Sequence, residues 1–366
     1  MDEAARALTR PPEALLQRLP RLADEVPWLP LGAWPTPVER LLRLGAELGL
    51  ELWVKREDRC GPAYGGNKVR NLEPLLAQAL RRGCRSVVVV GGVGSNQVVA
   101  TAYYARELGL AAHAVVVPQP VTPNVARNVS RAAALGATIW PCPSSVLLPL
   151  TLLRAWRGAE RPFLIGPGGS SVRGSLGTVA AGLELGAQVA RGELPPPSRI
   201  YLPLGSSGTA AGLLVGLGLA GLRPELVAVA VVHRLLANGL RTRRLARALG
   251  REARRLGGEV PRRLPSLTVL HGFYGGGYGR VTPAGLDAQR QLLELEGLTL
   301  DTTYGAKAMA ALLGHARSGA LHGPVLFWHT YDGRTPALPS NLPEEKARSL
   351  LPPRVQAWLA AGPARE

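Results

Sequence analysis

Residues 86–108 read SVVVVGGVGSNQVVATAYYAREL, and this stretch indicates an α/β fold. The four valines after Ser86 are typical of a buried parallel strand, because β-branched side chains pack well in a sheet that is covered on both faces. A glycine loop follows at 91–94, and residues 96–108 have the apolar spacing of a helix. The stretch therefore predicts one strand, loop and helix unit of a parallel sheet.

The residues that follow repeat this unit. Residues 112–117 predict a second strand, 122–135 a second helix and 138–140 a third strand. A helix at 146–156 then leads into a short apolar segment at 163–165. This alternation predicts a compact βαβαβ subdomain whose strands lie under helices on both faces.

The C-terminal half shows the same alternation. A strand at 199–204 runs into the loop at 205–209 (GSSGT) and then into a helix rich in alanine, leucine and glycine. Further elements are a strand at 226–232, a basic amphipathic helix within 241–263, helices at 283–295 and 307–316, and a strand at 325–329. We therefore predict an α/β protein with two parallel-sheet domains.

Composition limits the classes of function. With 366 residues, 46% of them hydrophobic, the chain is long enough for about two domains with large cores. It has no run of about 18 uncharged apolar residues and no secretory signal at its N-terminus, so we expect a cytoplasmic protein that does not bind membranes. Cys60, Cys84 and Cys142 are widely spaced and predict neither a disulfide framework nor a metal site.

The formal net charge of +17 raises the question of a nucleic-acid partner. The arginines are dispersed, however, and the chain has no recognisable nucleic-acid-binding motif. The densest run, at 241–263, has leucines and alanines at helical spacing and predicts a helix with a solvated basic face. We expect no specific nucleic-acid partner unless these arginines form one continuous patch.

Lysine is rare in this chain, which has 43 basic residues but only four lysines, Lys55, Lys68, Lys307 and Lys346. Lys68 lies in the stretch 65–70 (GGNKVR). A buried amine loses its proton readily and can form a Schiff base, whereas a guanidinium cannot. Lys68 is therefore a candidate covalent anchor, and a surface lysine in a glycine turn is the alternative.

Two loops between a strand and a helix are candidate anion sites. The loop at 205–209 places small residues and hydroxyls at a helix N-terminus, where backbone N–H groups and the helix dipole favour phosphate. The loop at 91–97 (GGVGSNQ) places Ser95 and Asn96 at another helix start, which suits a carboxylate. For each loop the alternative is an ordinary turn with a polar helix cap.

Together these features resemble the D-cysteine desulfhydrase and 1-aminocyclopropane-1-carboxylate deaminase family, which are pyridoxal-phosphate enzymes of the tryptophan-synthase-β-like fold. The resemblance runs nearly end to end. The matching segments are 31–40 (LGAWPTPVER), 52–58 (LWVKRED), 66–70 (GNKVR), 168–170 (GGS), 174–177 (GSLG), 277–279 (GYG), 300–308 (LDTTYGAKA) and His329-Thr330. The resemblance implies a large cofactor-binding domain (residues 1–74 plus 175–366) and a small βαβ domain (75–174), with pyridoxal 5'-phosphate between them.

The resemblance also implies roles for single residues. Lys68 would hold the cofactor as a Schiff base and move protons, and Asn96 would face the 3-hydroxyl of the pyridine ring. The other cofactor-binding residues would be Gly205, Ser206, Ser207, Gly208, Thr209 and Thr330. Ser95, Asn96 and Gln97 would receive the carboxylate of a small amino-acid substrate. Tyr278, Tyr304 and Ser95 would be catalytic, and for the tyrosines the alternative is aromatic packing.

Four differences from the family pattern stand at the same sites. Gly94 replaces a glutamine of the carboxylate loop, and Gly305 stands where deaminases have glutamate and desulfhydrases threonine near the pyridine nitrogen. A pyridine nitrogen without an acidic partner is a weaker electron sink, which argues against ring-opening deamination. Tyr331 follows Thr330 where the family has glycines, so either the loop differs in shape or Asp332 serves as the nitrogen's partner. Ser207 replaces a glycine and is the mildest change.

The sequence thus predicts a pyridoxal-phosphate lyase that removes a Cα proton and expels a β-substituent, giving an α-keto acid and ammonia. D-cysteine is the first substrate to try. Deamination of 1-aminocyclopropane-1-carboxylate is one alternative, and a cofactor-binding protein that has lost turnover is the other. The family also suggests a homodimer.

Overall fold

The computed structural model describes residues 8–61, 64–334 and 344–361. Within these residues the strands form one sheet in the order β1-β2-β10-β7-β8-β9 and a second sheet in the order β5-β4-β3-β6. All neighbours are parallel except β1 and β2. The strands are β1 (Val38–Arg40), β2 (Leu52–Arg56), β3 (Ser86–Gly92), β4 (Ala111–Val117), β5 (Thr138–Pro141), β6 (Pro162–Ile165), β7 (Arg199–Leu204), β8 (Glu225–Ala230), β9 (Ser266–Leu270) and β10 (Val325–His329).

The α-helices of the described residues connect and cover these strands. They are α1 (Glu13–Arg18), α2 (Leu22–Glu25), α3 (Leu42–Leu48), α4 (Lys68–Arg81), α5 (Asn96–Glu107), α6 (Pro123–Ala134), α7 (Leu148–Arg157), α8 (Leu176–Ala190), α9 (Gly208–Leu219), α10 (Gly239–Arg255), α11 (Pro283–Glu296), α12 (Gly305–Arg317), α13 (Glu344–Ser349) and α14 (Pro353–Ala360). Among the described residues, no helix is both long and apolar enough to span a membrane.

The four-stranded sheet confirms the predicted βαβαβ unit. The valines of β3 are buried, as expected for a strand covered on both faces. The helix predicted at 146–156 begins at Leu148 after a short 3₁₀ turn, because Pro149 is tolerated only in the first turn of an α-helix. The sheet lies within residues 75–174, and the predicted domain boundaries themselves stay a prediction.

The six-stranded sheet combines both ends of the chain. Strand β10 lies between β2 and β7, so the loops after these three strands meet at one edge. In parallel sheets ligands bind at the carboxyl ends of the strands. The basic helix predicted within 241–263 is α10, which ends at Arg255 shortly before Gly257 with φ 90°.

Helix α9 packs very closely on α8. A Cβ on Gly216 would lie 2.2 Å from the carbonyl oxygen of Val179, and a Cβ on Gly182 would lie 2.7 Å from the backbone nitrogen of Leu217. Only glycine allows the two backbones to approach in this way. The contact fixes the N-terminus of α9, which follows the loop at 205–209.

A buried ionic network lies beneath α4. Arg70 donates to both carboxylate oxygens of Glu57 at 2.7 Å and to Glu184 at 3.1 Å. Lys55 on β2 donates to Glu184 at 2.5 Å. The ring of Trp34 stacks on the guanidinium of Arg70, with 3.7 Å between the guanidinium carbon and the ring centroid. The network joins the segment at 31–40, strand β2 and helix α8 to α4.

A second buried acid, Glu73, holds the same N-terminal segment on α4. Its carboxylate accepts the indole N–H groups of Trp28 at 3.0 Å and Trp34 at 2.9 Å, and the backbone N–H groups of Leu31 and Gly32. Burial raises the pKa of Glu73 to about 7 although these donors oppose the shift. Helix α4 is therefore held at two points near its N-terminus, Arg70 and Glu73.

Candidate active site

Lys68 is the first residue of α4 and follows a tight turn. Gly66 in this turn has a φ of 86°, and a Cβ there would lie 2.9 Å from the carbonyl oxygen of Thr330. A Cβ on Gly65 would lie 2.7 Å from Asp332 Oδ2, which accepts the Gly65 N–H at 2.5 Å. The two glycines therefore let the turn pack against the loop that follows β10.

Lys68 as a whole residue is half-buried in this position. Burial lowers the pKa of Lys68 to about 8, and the negative charge of Asp301 partly opposes the shift. No hydrogen bond joins Lys68 Nζ to any residue that the structure describes. Lys68 is thus not a surface lysine, and its amine has the low pKa and the freedom that Schiff-base formation requires.

The loop at 205–209 lies beside this turn, between β7 and the N-terminus of α9. Asn67 Nδ2 donates to Thr209 Oγ1 at 2.8 Å, which ties the residue before Lys68 to the loop. A Cβ on Gly205 would lie 3.4 Å from Tyr304 Cε1, so the ring of this tyrosine borders the same loop. The structure therefore brings the turn at 65–67, the loop at 205–209 and Tyr304 together.

Ser170 reaches the loop at 205–209 from the segment after β6. Its hydroxyl donates to Ser206 Oγ at 2.7 Å and accepts the Gly208 N–H at 3.1 Å. A Cβ on Gly168 would lie 2.0 Å from Ser206 Oγ, so glycine is required for this approach. The segment at 168–170 is therefore part of the site.

Ser207 is the N-cap residue of α9 and has a left-handed φ of 72°. This conformation costs a residue with a side chain about 1–2 kcal/mol relative to glycine. The Ser207 hydroxyl accepts a hydrogen bond from Thr242 Oγ1 at 3.0 Å. The family glycine at this position thus has a steric reason, and this chain offsets part of its loss with a new hydrogen bond.

Asn96 begins α5 and faces α6. Asn128 Nδ2 donates to Asn96 Oδ1 at 2.8 Å and to the carbonyl oxygen of Gly94 at 2.9 Å. Asn128 therefore fixes both the side chain of Asn96 and the turn before it.

The neighbouring side chains of this loop are buried. Ser95 is the N-cap residue of α5 by backbone conformation, but its side chain makes no capping hydrogen bond with the described residues. Gln97 Nε2 donates to Thr101 Oγ1 at 3.1 Å within α5. Gln97 Oε1 is buried and finds no hydrogen-bond partner in the described part of the chain. The roles of Ser95 and Gln97 in carboxylate binding stay predictions.

Tyr278 and Tyr304 form a hydroxyl pair. Their oxygens are 2.7 Å apart, and the rings meet edge to face with 6.1 Å between centroids. Burial raises the pKa of Tyr278 to about 12 and raises the pKa of Tyr304 well above its usual value. Both hydroxyls are therefore protonated at neutral pH and can donate a proton or a hydrogen bond.

Asp301 holds Tyr304 in place at the start of α12. Its carboxylate accepts the backbone N–H groups of Thr303 at 3.0 Å, Tyr304 at 2.6 Å and Gly305 at 3.0 Å. Burial nevertheless raises the pKa of Asp301. The carboxylate thus fixes the first turn of α12.

Two connected cavities lie between the sheets. A narrow one is lined by Gly94, Asn96, Gln119, Thr122, Asn124, Val125, Tyr278, Asp301, Thr302, Thr303 and Tyr304. A wider groove of about 890 Å³ shares Thr122, Asn124, Asp301 and Thr302 with it and carries Arg56, Arg59, Arg127 and Arg334. Asp58, Asp301 and Asp332 line the same groove, and Asp58 and Asp332 pair with Arg56 and Arg334. The groove is therefore an approach of mixed charge to the narrow cavity.

The departure at Tyr331 and Asp332 has a structural account. Both oxygens of Asp332 bind Arg334, and one also accepts the Gly65 N–H. This carboxylate therefore holds the turn at 65–67 in position. Tyr331 extends into the groove, where its hydroxyl donates to Asn124 Oδ1 at 3.4 Å. A Cβ on Gly305 would lie 3.1 Å from Leu300 Cδ2, and nothing in the structure explains why glycine stands there.

Several residues near the site were not predicted as site residues. Ser170 lies in a glycine-rich segment that matched the family pattern without an assigned role. Asn67 could have been predicted as a site residue, because it is next to Lys68 in the sequence. Asn128 and Gln119 gave no such signal, because both lie on the β4–α6 unit, apart in sequence from the loop at 91–97, and reach the site only through the fold.

The residues present fit pyridoxal 5'-phosphate. Lys68 provides an amine of lowered pKa for its aldehyde. The N-terminus of α9 provides backbone N–H groups and hydroxyls for its phosphate. A helix N-terminus after a loop of small residues is a common phosphate site. Gly205 provides a surface without a side chain beside the Tyr304 ring.

Comparison with known proteins agrees with this fit. The family model for pyridoxal-phosphate-dependent enzymes matches residues 29–330. Nocardicin C-9' epimerase from Nocardia uniformis subsp. tsuyamanensis is 37% identical over 316 residues, which cover 83% of this chain and 92% of the epimerase. D-cysteine desulfhydrase from Salmonella choleraesuis (strain SC-B67) is 35% identical over 339 residues, which cover 88% of this chain and 96% of the desulfhydrase.

Among solved structures, one described as an ACC deaminase homologue has a TM-score of 0.74 and 30% identity, and the match covers 93% of this chain and 100% of that one. These similarities confirm the predicted α/β fold with parallel sheets and the predicted cofactor, pyridoxal 5'-phosphate. The chain belongs to the family of pyridoxal-phosphate-dependent enzymes.

Proposed function

We propose that this enzyme catalyses β-elimination from a small amino acid, with D-cysteine as the first candidate, and yields an α-keto acid and ammonia. The observation that carries the proposal is the amine of Lys68, which has a pKa of about 8 and no hydrogen-bond partner among the described residues. Its neighbour Asn67 binds Thr209 in the loop at 205–209, which is suited to phosphate. The ring of Tyr304 borders the same loop at Gly205. The D-cysteine desulfhydrase relative supports the choice of substrate.

In this proposal the bound cofactor supplies an electron sink for the Cα carbanion. Lys68 would hold the cofactor through Nζ and, as a free amine, would take the proton from the substrate Cα. The α9 N-terminus, with Gly205, Ser206, Ser207, Gly208 and Thr209, binds the phosphate. Thr330 and Asn96 would contact the pyridine ring of the cofactor, as the family resemblance implies.

The substrate side is formed by the loop at 94–97 and the tyrosine pair. Ser95 and Asn96 receive the carboxylate together with Gln97. Tyr278 and Tyr304, whose hydroxyls are protonated at neutral pH, donate a proton to the β-substituent as its bond to Cβ breaks. The released product then hydrolyses to the α-keto acid and ammonia.

Cα epimerisation is the second candidate, because nocardicin C-9' epimerase is 37% identical to this chain. Both reactions begin with removal of the Cα proton, and they differ in whether a β-substituent leaves. Deamination of 1-aminocyclopropane-1-carboxylate is less favoured, since Gly305 offers no side chain near the pyridine nitrogen.

The test is the visible absorption spectrum of the cofactor-loaded enzyme before and after D-cysteine, L-cysteine or 1-aminocyclopropane-1-carboxylate is added, with keto acid assayed in the same cuvette. Spectral change with pyruvate from D-cysteine supports the proposal. Exchange of the Cα proton in D₂O without keto acid would instead favour epimerisation. A spectrum that none of the three substrates changes would argue for a protein without turnover.

The proposal includes a cytoplasmic homodimer, which rests on the family resemblance. Sedimentation velocity of the loaded enzyme tests the oligomeric state, and we expect twice the mass of one chain.

A further inference from the structure

The turn that carries Gly94 has no room for a side chain. A Cβ on Gly94 would lie 2.7 Å from Val125 Cγ2 and 2.8 Å from the Cα of Val125, at the start of α6. Distances below 3.0 Å to a backbone atom require the helix itself to move. The side chain that the family carries at this position is therefore excluded here by the packing of α6.

A carboxamide from another part of the chain lies at the same turn. Gln119 follows β4, and its Oε1 accepts the Gly94 N–H at 3.2 Å. The side chain is half-buried and lines the narrow cavity together with Asn96, Tyr278 and Tyr304. Position 94 thus has no side chain, and the carboxamide of Gln119 lies at the same turn.

Glycines on both sides make room for this carboxamide. A Cβ on Gly92 would lie 2.3 Å from Gln119 Oε1 and 2.7 Å from Tyr278 Cε1. A Cβ on Gly279 would lie 3.3 Å from Gln119 Nε2. Gln119 therefore spans from the carboxylate loop to the turn that carries Tyr278.

The orientation of the carboxamide follows from its partner. The Gly94 N–H can only donate, so the oxygen of Gln119 must face it and the NH₂ group is left as a donor. A neutral donor beside a helix N-terminus is suited to a carboxylate.

We propose that Gln119 is a substrate-binding residue that donates Nε2–H to the α-carboxylate of the amino acid and holds the Gly94 turn in position. This inference rests on the proposed function only in taking an amino acid as the ligand of the cavity. It adds Gln119 to Ser95, Asn96 and Gln97, the residues to which the family resemblance assigns the substrate carboxylate.

The experiment compares two kinds of amine on the cofactor-loaded enzyme. Glycine and D-alanine carry a carboxylate, whereas methylamine and ethylamine are the same molecules without it. Each is titrated against the visible band of the bound cofactor to obtain a dissociation constant. The variants are Gln119→Ala and Gln119→Glu, and Gln17→Glu on the exposed face of α1 controls for the added charge.

We expect Gln119→Ala to weaken binding of the amino acids by about 10-fold, as for loss of one hydrogen bond to a charged group, and to leave the amines unchanged. Gln119→Glu should weaken the amino acids further, because it places a carboxylate against a carboxylate. The band of the loaded enzyme should keep its position and intensity without ligand, and Gln17→Glu should resemble the wild type.

Equal weakening of amino acids and amines would overturn the proposal, because it would indicate a structural role. Unchanged binding of the amino acids would overturn it as well. If the wild type binds glycine and D-alanine but forms no pyruvate from D-cysteine, the proposed elimination fails while the assignment of Gln119 stands. If no amino acid alters the wild-type band, both are overturned.

Discussion

Lys55 and Lys68 show how two lysines within 13 positions of each other can have opposite uses. Burial lowers the pKa of both amines. Lys55 Nζ donates to Glu184 at 2.5 Å and to Gln188 Oε1 and the carbonyl oxygen of Thr36 at 2.6 Å. Lys68 has no such partner within the part of the chain that the structure describes.

The two amines differ in their partners because they lie on two sides of helix α4. Below the first turn of α4, every charge of the ionic network has an opposite charge beside it. On the side of Lys68, the nearby carboxylate of Asp301 is already occupied by three backbone N–H groups. A buried amine whose hydrogen bonds are satisfied serves stability, and one that is not satisfied is available for chemistry.

The largest expected effect comes from Lys68→Ala. We expect turnover to fall by about 10⁴- to 10⁶-fold, the range found when a residue of covalent catalysis is removed. The visible band of the covalently held cofactor should disappear, because the Schiff base has no amine. Lys346→Ala, on the exposed face of α13, is the matched control and should keep wild-type turnover. Turnover of Lys68→Ala within tenfold of wild type would remove Lys68 from the mechanism.

The second largest effect tests whether the buried ionic network around Lys55 and Arg70 stabilises the fold. Glu184→Ala leaves Lys55 and Arg70 without a shared carboxylate, and we expect the free energy of unfolding to fall by about 3–5 kcal/mol. Urea unfolding measures this change. The control is Glu193→Ala, which breaks the exposed pair between Arg191 and Glu193 and should cost less than about 1 kcal/mol. Similar losses from both variants would mean that the network does not support α4.

A third effect concerns the pH at which Lys68 becomes reactive. In the apoprotein its pKa is lowered from 10.5 to about 8, so the neutral amine gains population as the pH rises through about 8. The rate at which apoprotein binds pyridoxal 5'-phosphate covalently should rise with this midpoint. Asp301→Asn should move the midpoint to lower pH, because the Asp301 charge raises the pKa of Lys68. A midpoint near 10.5 would contradict the burial of the amine.

The same shift predicts the sign of a stability change. Between about pH 8 and 10.5 the unfolded chain binds more protons at Lys68 than the folded apoprotein, so its contribution to stability rises with pH in this window. Lys68→Met should remove this rise in urea unfolding measured at several pH values.

The smallest effect concerns the loop at 205–209. Ser207→Gly relieves the left-handed φ but loses the hydrogen bond from Thr242, so its net effect on stability should be small. Ser207→Ala loses the bond and keeps the strain. We expect the glycine variant to be more stable than the alanine variant by about 1 kcal/mol, measured by urea unfolding. The reverse order would show that the backbone at Ser207 is unstrained.

The alternation of strands and helices could be predicted, because β-branched runs and helical spacing are local signals. The lysine motif could be predicted for the same reason, since Gly65, Gly66 and Lys68 are neighbours. Asn128 and Gln119 could not, because they lie on the β4–α6 unit and reach the site only through the fold. Asp332 shows the limit most clearly, since the sequence left open a contact with the cofactor ring and the folded loop directs its carboxylate to Gly65 and Arg334.

The sequence by itself determined the parallel α/β architecture and the cofactor, and it predicted Lys68 as the anchor, since these depend on motifs of residues that are adjacent along the chain. The tertiary structure alone decided which side chains complete the site. Gln119 is 25 positions from Gly94 in sequence, yet it binds the backbone of Gly94 at 3.2 Å. Parallel strands place their carboxyl ends at one edge of the sheet, so residues from distant loops meet there although no pattern in the sequence links them.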